Sequence, residues 1–257
     1  MRWVYKATKG PSAYCTTPDS IQELNQMAPL GVLLFCLLLV YSACGYKRCL
    51  SKLDVVLVVE DSAFLPDKTA ETYINEFLVA IINQLNVGTN GAQVAYQLYG
   101  YNHTSTTIFD LNTFSETTDC TAAVLRNSFT RDSSDPASIH QGLSYTWNTI
   151  LAAGKGERSC YPAIVILVSY SSYPGPNENG MRNSGVEDLS WARKFRNAGA
   201  LVLAAGVGPN RDADHLIQLA EDPDNYFDFA SFSDLTRDAA VDVVDQFCNY
   251  QRITGQF

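Results

Sequence analysis

From Leu53 onward, short unbroken apolar runs alternate with longer segments in which apolar residues recur every three or four positions. An unbroken run bounded by turn residues suits a strand buried on both faces, and the longer period suits a helix that buries one stripe. The runs predict strands over 54–59, 93–101, 106–111, 163–169, 200–207 and 226–229. The periodic segments predict helices over 68–85, 116–127, 138–153, 186–198, 212–220 and 233–247. In the first helix Ile74, Phe77, Leu78, Ile81, Ile82 and Leu85 make the core stripe. Alternating strands and helices predict an α/β fold, a doubly wound and mostly parallel central sheet with helices on both faces. Two adjacent strands around 100–106 predict one antiparallel edge strand. No internal repeat or low-complexity linker interrupts the region after residue 52, which reads as one domain.

The first strand runs into VVLVVEDSAFL and delivers Glu60, Asp61 and Ser62 to its carboxyl end, which is where ligands sit in open α/β sheets. The longest polar loop, 169–185, leaves a later strand at the same end. Tyr170 and Tyr173 of that loop, with Asp61 and Asp135, are the candidate binding surface, because exposed tyrosine supplies contact area at small entropic cost. A serine after a strand also raises a hydrolase, the reading from a different class, with Ser62 as nucleophile. No Gly-x-Ser-x-Gly elbow occurs, and His103, His140 and His215 lie in separate segments. Gly206-Val207-Gly208 is followed by Pro209 and Arg211 at the end of a late strand, so it is no dinucleotide fingerprint. The expectation is a protein that is not an enzyme.

Charge narrows the partners. Lys+Arg 18 against Asp+Glu 27 leaves a net charge of −9 on 257 residues, and no basic run lines up for a phosphate backbone, so nucleic acid is excluded as a partner. Residues 24–46 carry no charge, and LGVLLFCLLLVY (30–41) ends in the small residues Ser42, Ala43 and Gly45. That is the profile of a secretory signal, shorter than the roughly 20 apolar residues a spanning helix prefers. Translation from Met27 would make 27–45 a compact signal peptide and the protein secreted; translation from Met1 leaves it as a signal anchor that holds the domain outside the cytosol. The chain therefore divides into an N-terminal extension (1–26), a signal peptide or anchor (27–45), a domain (49–250) and a tail (251–257). Membrane contact is expected only through the apolar segment, if it is uncleaved.

Of seven cysteines, Cys49, Cys120, Cys160 and Cys248 follow that segment. They lack zinc-site spacing, so disulfides are expected, with three pairings open. Asn102-His103-Thr104 is an acceptor sequon that makes Asn102 a candidate glycosylation site in a secreted chain.

LDVVLVVEDS at the start of the domain and ALVLAAGVGPNRDADHLIQLAEDPDNYFDFASFSDL near its end resemble the von Willebrand factor type A domain. The matching features are Gly206-Val207-Gly208 after a late strand, the helix pattern from Leu216 to Ala220, the strand from Tyr226 to Phe229, and Phe232 to Leu235 leading into the last helix. The resemblance implies a protein-interaction or adhesion module with an unknown extracellular protein ligand. It also implies a bridge from Cys49 to Cys248 joining the domain ends, with Cys120–Cys160 as the remaining pair. The family's metal-ion-dependent adhesion site uses Asp-x-Ser-x-Ser after the first strand, a Thr from a second loop and an Asp after the fourth strand. Here Glu60 stands for the first Asp, Ser62 matches, Phe64 replaces the second Ser, Ala137 with Ser138 beside it replaces the Thr, and Tyr170 replaces the Asp. Too few hard oxygen donors remain for octahedral Mg²⁺, so no cofactor is expected. The alternative is cation-dependent adhesion, by Mg²⁺ or Ca²⁺, through a rearranged acidic site of Glu60, Asp61 and Ser62.

Overall fold

The computed structural model describes residue 49 and residues 52–100, 105–131, 137–152, 154–158, 161–171 and 183–254, with the side chains of 183–185 and 249–254 excepted. All of these fall in one compact unit, Lys47–Phe257. The expected extension and apolar segment (1–45), Asn102, Asp135, Cys160 and Tyr173 lie outside the described residues.

Six strands form one sheet: β1 (Asp54–Glu60), β2 (Gln93–Tyr99), β3 (Ser105–Phe109), β4 (Ala163–Ser169), β5 (Leu201–Val207) and β6 (Tyr226–Phe229), in the order β3-β2-β1-β4-β5-β6. Every pairing is parallel except β2 with the edge strand β3. The helices are α1 (Lys68–Gln84), α2 (Thr117–Arg126), α3 (Ile139–Tyr145), α4 (Asn183–Asn197), α5 (Ala213–Ala220) and α6 (Arg237–Thr254).

Successive β1 side chains point to opposite faces. Val55, Leu57 and Val59 join a core with Phe77 and Ile81 of α1, Cys120 and Val124 of α2, and Val243 and Phe247 of α6. Val56 and Val58 join the other, with Leu143 of α3, Phe195 of α4 and Leu219 of α5. Because both faces are covered, β1 can be apolar throughout.

Three elements depart from expectation. The helix expected over 138–153 is regular only to Tyr145 and widens into a π turn over Thr146–Ile150. Buried Gln97 sits against that turn, its Nε2 donating to the Gly142 carbonyl at 2.9 Å and its Oε1 accepting from Thr146 Oγ1 at 3.0 Å. Gly142 itself lies against Tyr99, where a Cβ would stand 2.9 Å from the ring. The helix expected over 233–247 begins instead at Arg237, because Ser231 and Asp234 cap each other across a separate turn, Phe232–Asp234. It also runs on to Thr254, into the segment read as a tail.

Cys49 and Cys248 form the expected disulfide, with Cα atoms 6.0 Å apart. Cys120 corrects the second pairing: it is a free thiol, buried beside Val124 on the core stripe of α2, and burial pushes it up to about 11. The Cys49–Cys248 bond closes a loop spanning 199 positions, so Cys49→Ser paired with Cys248→Ser is expected to cost about 2–4 kcal/mol. Thermal unfolding should show a Tm drop of about 5–15 °C; an unchanged Tm would mean the bridge does not constrain the unfolded chain.

At the amino end of the sheet Asp54 is buried against Arg158, whose Nε donates to Oδ1 at 2.7 Å and whose backbone N–H donates to Oδ2 at 2.8 Å. The same guanidinium reaches the Leu53 carbonyl at 2.7 Å and the Gly91 carbonyl at 3.0 Å, and stacks 4.6 Å from the Tyr161 ring.

A buried carboxylate at the adhesion-site position

At the opposite, carboxyl end of the sheet, β1 and β4 run in parallel register with Val59 beside Val168. The pairing brings Glu60 level with Ser169 and the turn that follows. Glu60 is 0% exposed, and its side chain crosses to β4. Oε2 accepts from Ser169 Oγ at 2.8 Å, from the Tyr170 N–H at 2.9 Å and from the Ser171 N–H at 3.2 Å. Oε1 accepts from Ser62 Oγ at 2.7 Å. Four donors thus converge on one buried carboxylate, as burial of such a group demands.

Tyr170 closes the site. It is 2% exposed, so it is not the surface contact expected from a polar loop. Its hydroxyl donates to the Glu60 carbonyl at 2.9 Å and accepts from the Ser62 N–H at 3.3 Å, while its ring meets Phe232 edge-on at 5.6 Å. Burial, and then the nearby Glu60 carboxylate, push the Tyr170 hydroxyl well above the usual tyrosine range. The same two causes act on buried Tyr99, so both phenols stay protonated and able to donate.

Asp61 turns the other way. Its Oδ2 accepts from the Thr130 N–H at 3.0 Å and Thr130 Oγ1 at 2.8 Å, and its Oδ1 accepts from the Arg131 N–H at 2.9 Å. These bonds hold Arg131 in a left-handed backbone conformation (φ 56°) that a non-glycine residue adopts only under constraint. Arg131 in turn reaches Glu71, which also pairs with Lys68. Phe64 packs on the core, Ala137 is buried, and Ser138 makes no capping bond with its side chain.

Of the metal-site positions, Glu60, Ser62 and Tyr170 come together in space, but their chemistry does not fit Mg²⁺ or Mn²⁺. The one carboxylate at the centre already accepts four hydrogen bonds, the serine hydroxyl aims its proton at that carboxylate, and a phenol stands where a second carboxylate is needed. The Glu60 and Asp61 carboxylates are drawn to different loops, Glu60 to Ser169–Ser171 and Asp61 to Thr130 and Arg131. Among the described residues no group of three or more His, Cys, Asp or Glu is arranged to hold a metal ion.

Several contributors were not singled out from sequence: Ser169 and Ser171, Thr130 and Arg131, and Asp188. The pair of serines flanking Tyr170 was the available signal. Asp188, buried on α4, receives His215 Nε2 at 3.0 Å; burial raises its carboxyl despite His215. His140 and His215, expected in unrelated places, thus both face α4, with His140 Nδ1 3.7 Å from Glu187.

A doubly wound, mostly parallel sheet with one antiparallel edge strand and helices on both faces defines a layered α/β domain. The family model of the von Willebrand factor type A domain matches residues 54–240, and the chain belongs to that family. Among solved structures, proximal thread matrix protein 1 from the mussel byssus is similar at 19% identity and TM-score 0.67, covering 78% of this chain and 49% of that one. Another structure of that mussel protein, described with a zinc-occupied MIDAS motif, is similar at 20% identity and TM-score 0.65, covering 79% and 47%. Manganese-loaded TRAP protein of Plasmodium vivax is similar at 18% identity and TM-score 0.56, covering 75% and 72%. The chain spans about half the length of the mussel protein, and at these identities the likeness is one of fold. A comparison with curated protein sequences finds no match.

Proposed function

We propose that this chain is an extracellular protein-interaction module of the von Willebrand type A family that engages its partner without a divalent cation and catalyses no reaction. The observation that carries this reading is the Glu60 carboxylate, whose four donors come from the protein itself. A partner carboxylate that completes a metal's coordination has nothing to complete here. Placement outside the cytosol, whether secreted or held by an uncleaved 27–45 segment, is supported by the Cys49–Cys248 bond, which suits an oxidising compartment. A matrix-type role is in keeping with the similar protein of the mussel byssus. Ser62 is fully buried and donates to Glu60, an arrangement that argues against a nucleophile.

The test is capture of the full chain on a panel of immobilised extracellular matrix proteins, in Mg²⁺ and then in EDTA. Binding to a panel member is expected to be equal in the two buffers. Loss of binding in EDTA would restore the cation-dependent reading, and no binding to any panel protein would remove the matrix-type one.

A further inference from the structure

Trp147 lies in the π turn that follows α3, and Trp191 lies on α4. One ammonium serves both rings: Lys194 Nζ stands 4.5 Å from the Trp147 centroid and 4.2 Å from the Trp191 centroid. Two ring faces from different elements therefore converge on a single cation-sized point. Both indoles are half-buried against the core. Trp147 meets the Phe195 ring edge-on at 5.3 Å, and the His140 ring stands 6.2 Å from Trp191. Packing thus holds the rings, whereas Lys194 is exposed on a flexible stem, and keeping such a side chain in one place costs rotamer freedom.

The surroundings select a cation. Among the described residues the Lys194 ammonium has no carboxylate partner, and the two rings stand in place of one. Indole has the ring face that attracts an ammonium most strongly. Glu187, exposed one turn before Trp191, adds a carboxylate on the same face of α4, and Arg193, two positions after Trp191, falls on another face. The backbone under Trp147 is itself unusual: π turns inside helices recur at functional sites, and buried Gln97 braces this one from β2. A net charge of −9 on the whole chain steers basic partners toward it.

We infer that the cleft between Trp147 and Trp191 is a docking site for a lysine side chain of a basic protein partner, and that Lys194 closes it in the free protein. Lys194 shows the fit, because an ammonium on a four-carbon stem already lies between the rings. A partner's lysine makes the same contacts once Lys194 turns out into solvent. Tethering gives Lys194 a high effective concentration, so a single free lysine competes poorly and a partner with further contacts displaces it. The choice of a protein partner rests on the interaction-module reading, whereas the cation site does not. None of its residues belongs to the Glu60 network, so the cleft stands or falls apart from cation-free binding.

The experiment is NMR titration of the full chain, read at the indole N–H signals, which are few because the chain has Trp 3 in total. The probes are Nα-acetyl-lysine methylamide, its uncharged match Nα-acetyl-norleucine methylamide, and tetramethylammonium chloride. Lys194→Ala is expected to bind the lysine amide about tenfold more tightly than wild type, the release of one competing cation–π contact. The norleucine amide should give no saturable shift. In the Lys194→Ala background, Trp191→Phe keeps a ring with a weaker face and should lose part of that gain, and Trp191→Leu should lose all of it. Thermal unfolding checks that each variant is folded, and Lys194→Ala changes only an exposed position. No saturable response of Lys194→Ala to the lysine amide would overturn the inference, as would equal affinity in wild type or an equal response to norleucine. A response to tetramethylammonium alone would also overturn it, in favour of a quaternary ammonium headgroup.

Discussion

Glu60→Ala is expected to destabilise the domain by about 3–5 kcal/mol, through the buried neutral donors it leaves without an acceptor. The reason is the number of donors stranded. Ser62 Oγ, Ser169 Oγ and the N–H groups of Tyr170 and Ser171 all lose their acceptor in a site sealed by Tyr170. Each stranded group costs about 1–3 kcal/mol when water cannot reach it, though the losses are not additive. Glu60→Gln keeps the shape and one acceptor oxygen, and should cost less. Glu60→Asp restores the family's residue type yet falls one methylene short of β4, so it is expected to behave closer to the alanine variant than to glutamine. Urea unfolding of the three variants checks the order; a cost below about 1 kcal/mol for alanine would mean that the network is not a brace.

Arg158→Ala is expected to cost a similar amount, about 3–5 kcal/mol, by a different route. It leaves Asp54 buried at 1% exposure with neither its guanidinium nor the carbonyl contacts that tie Leu53 and Gly91 together. Burial already raises the Asp54 carboxyl above its ordinary value, opposed first by the Arg158 backbone N–H, which the alanine variant keeps, and then by the guanidinium's charge and hydrogen bond, which it loses. Without the Arg158 guanidinium the folded protein holds the Asp54 proton still more strongly than the unfolded chain does. The penalty is therefore smallest at low pH, where both states are protonated, and grows as the pH rises through the raised folded value. Urea unfolding of wild type and variant at pH 4 and pH 7 reads this directly. A penalty that shrinks as the pH rises would contradict the assignment of Arg158 as Asp54's counter-charge.

Strands were legible because β1, β4 and β5 are apolar on both faces, a pattern that little besides a doubly covered parallel sheet produces. Element ends were less so. The start of α6 turned on a reciprocal Ser231–Asp234 cap, which spacing suggests only once the preceding turn is known.

At the site, sequence revealed what was missing from a metal centre but not what replaced it. Glu60 meets Ser169 only through the β1–β4 register, across a separation of 109 residues. Tyr170 read as loop surface because a polar stretch follows it, whereas its ring is claimed by Phe232 from another element. Cys120 was assigned by parity of the cysteine count; its spacing of four from Val124 on an amphipathic helix was the better clue to a buried thiol.

Glu60 and its protein donors stand where the family's fold places a cation. The most direct measurement is isothermal titration calorimetry of MgCl2, MnCl2 and CaCl2 into the full chain stripped with EDTA. The predicted result is heat of dilution alone for all three salts. A saturable isotherm with micromolar affinity for any of them, abolished by Glu60→Gln, would contradict it.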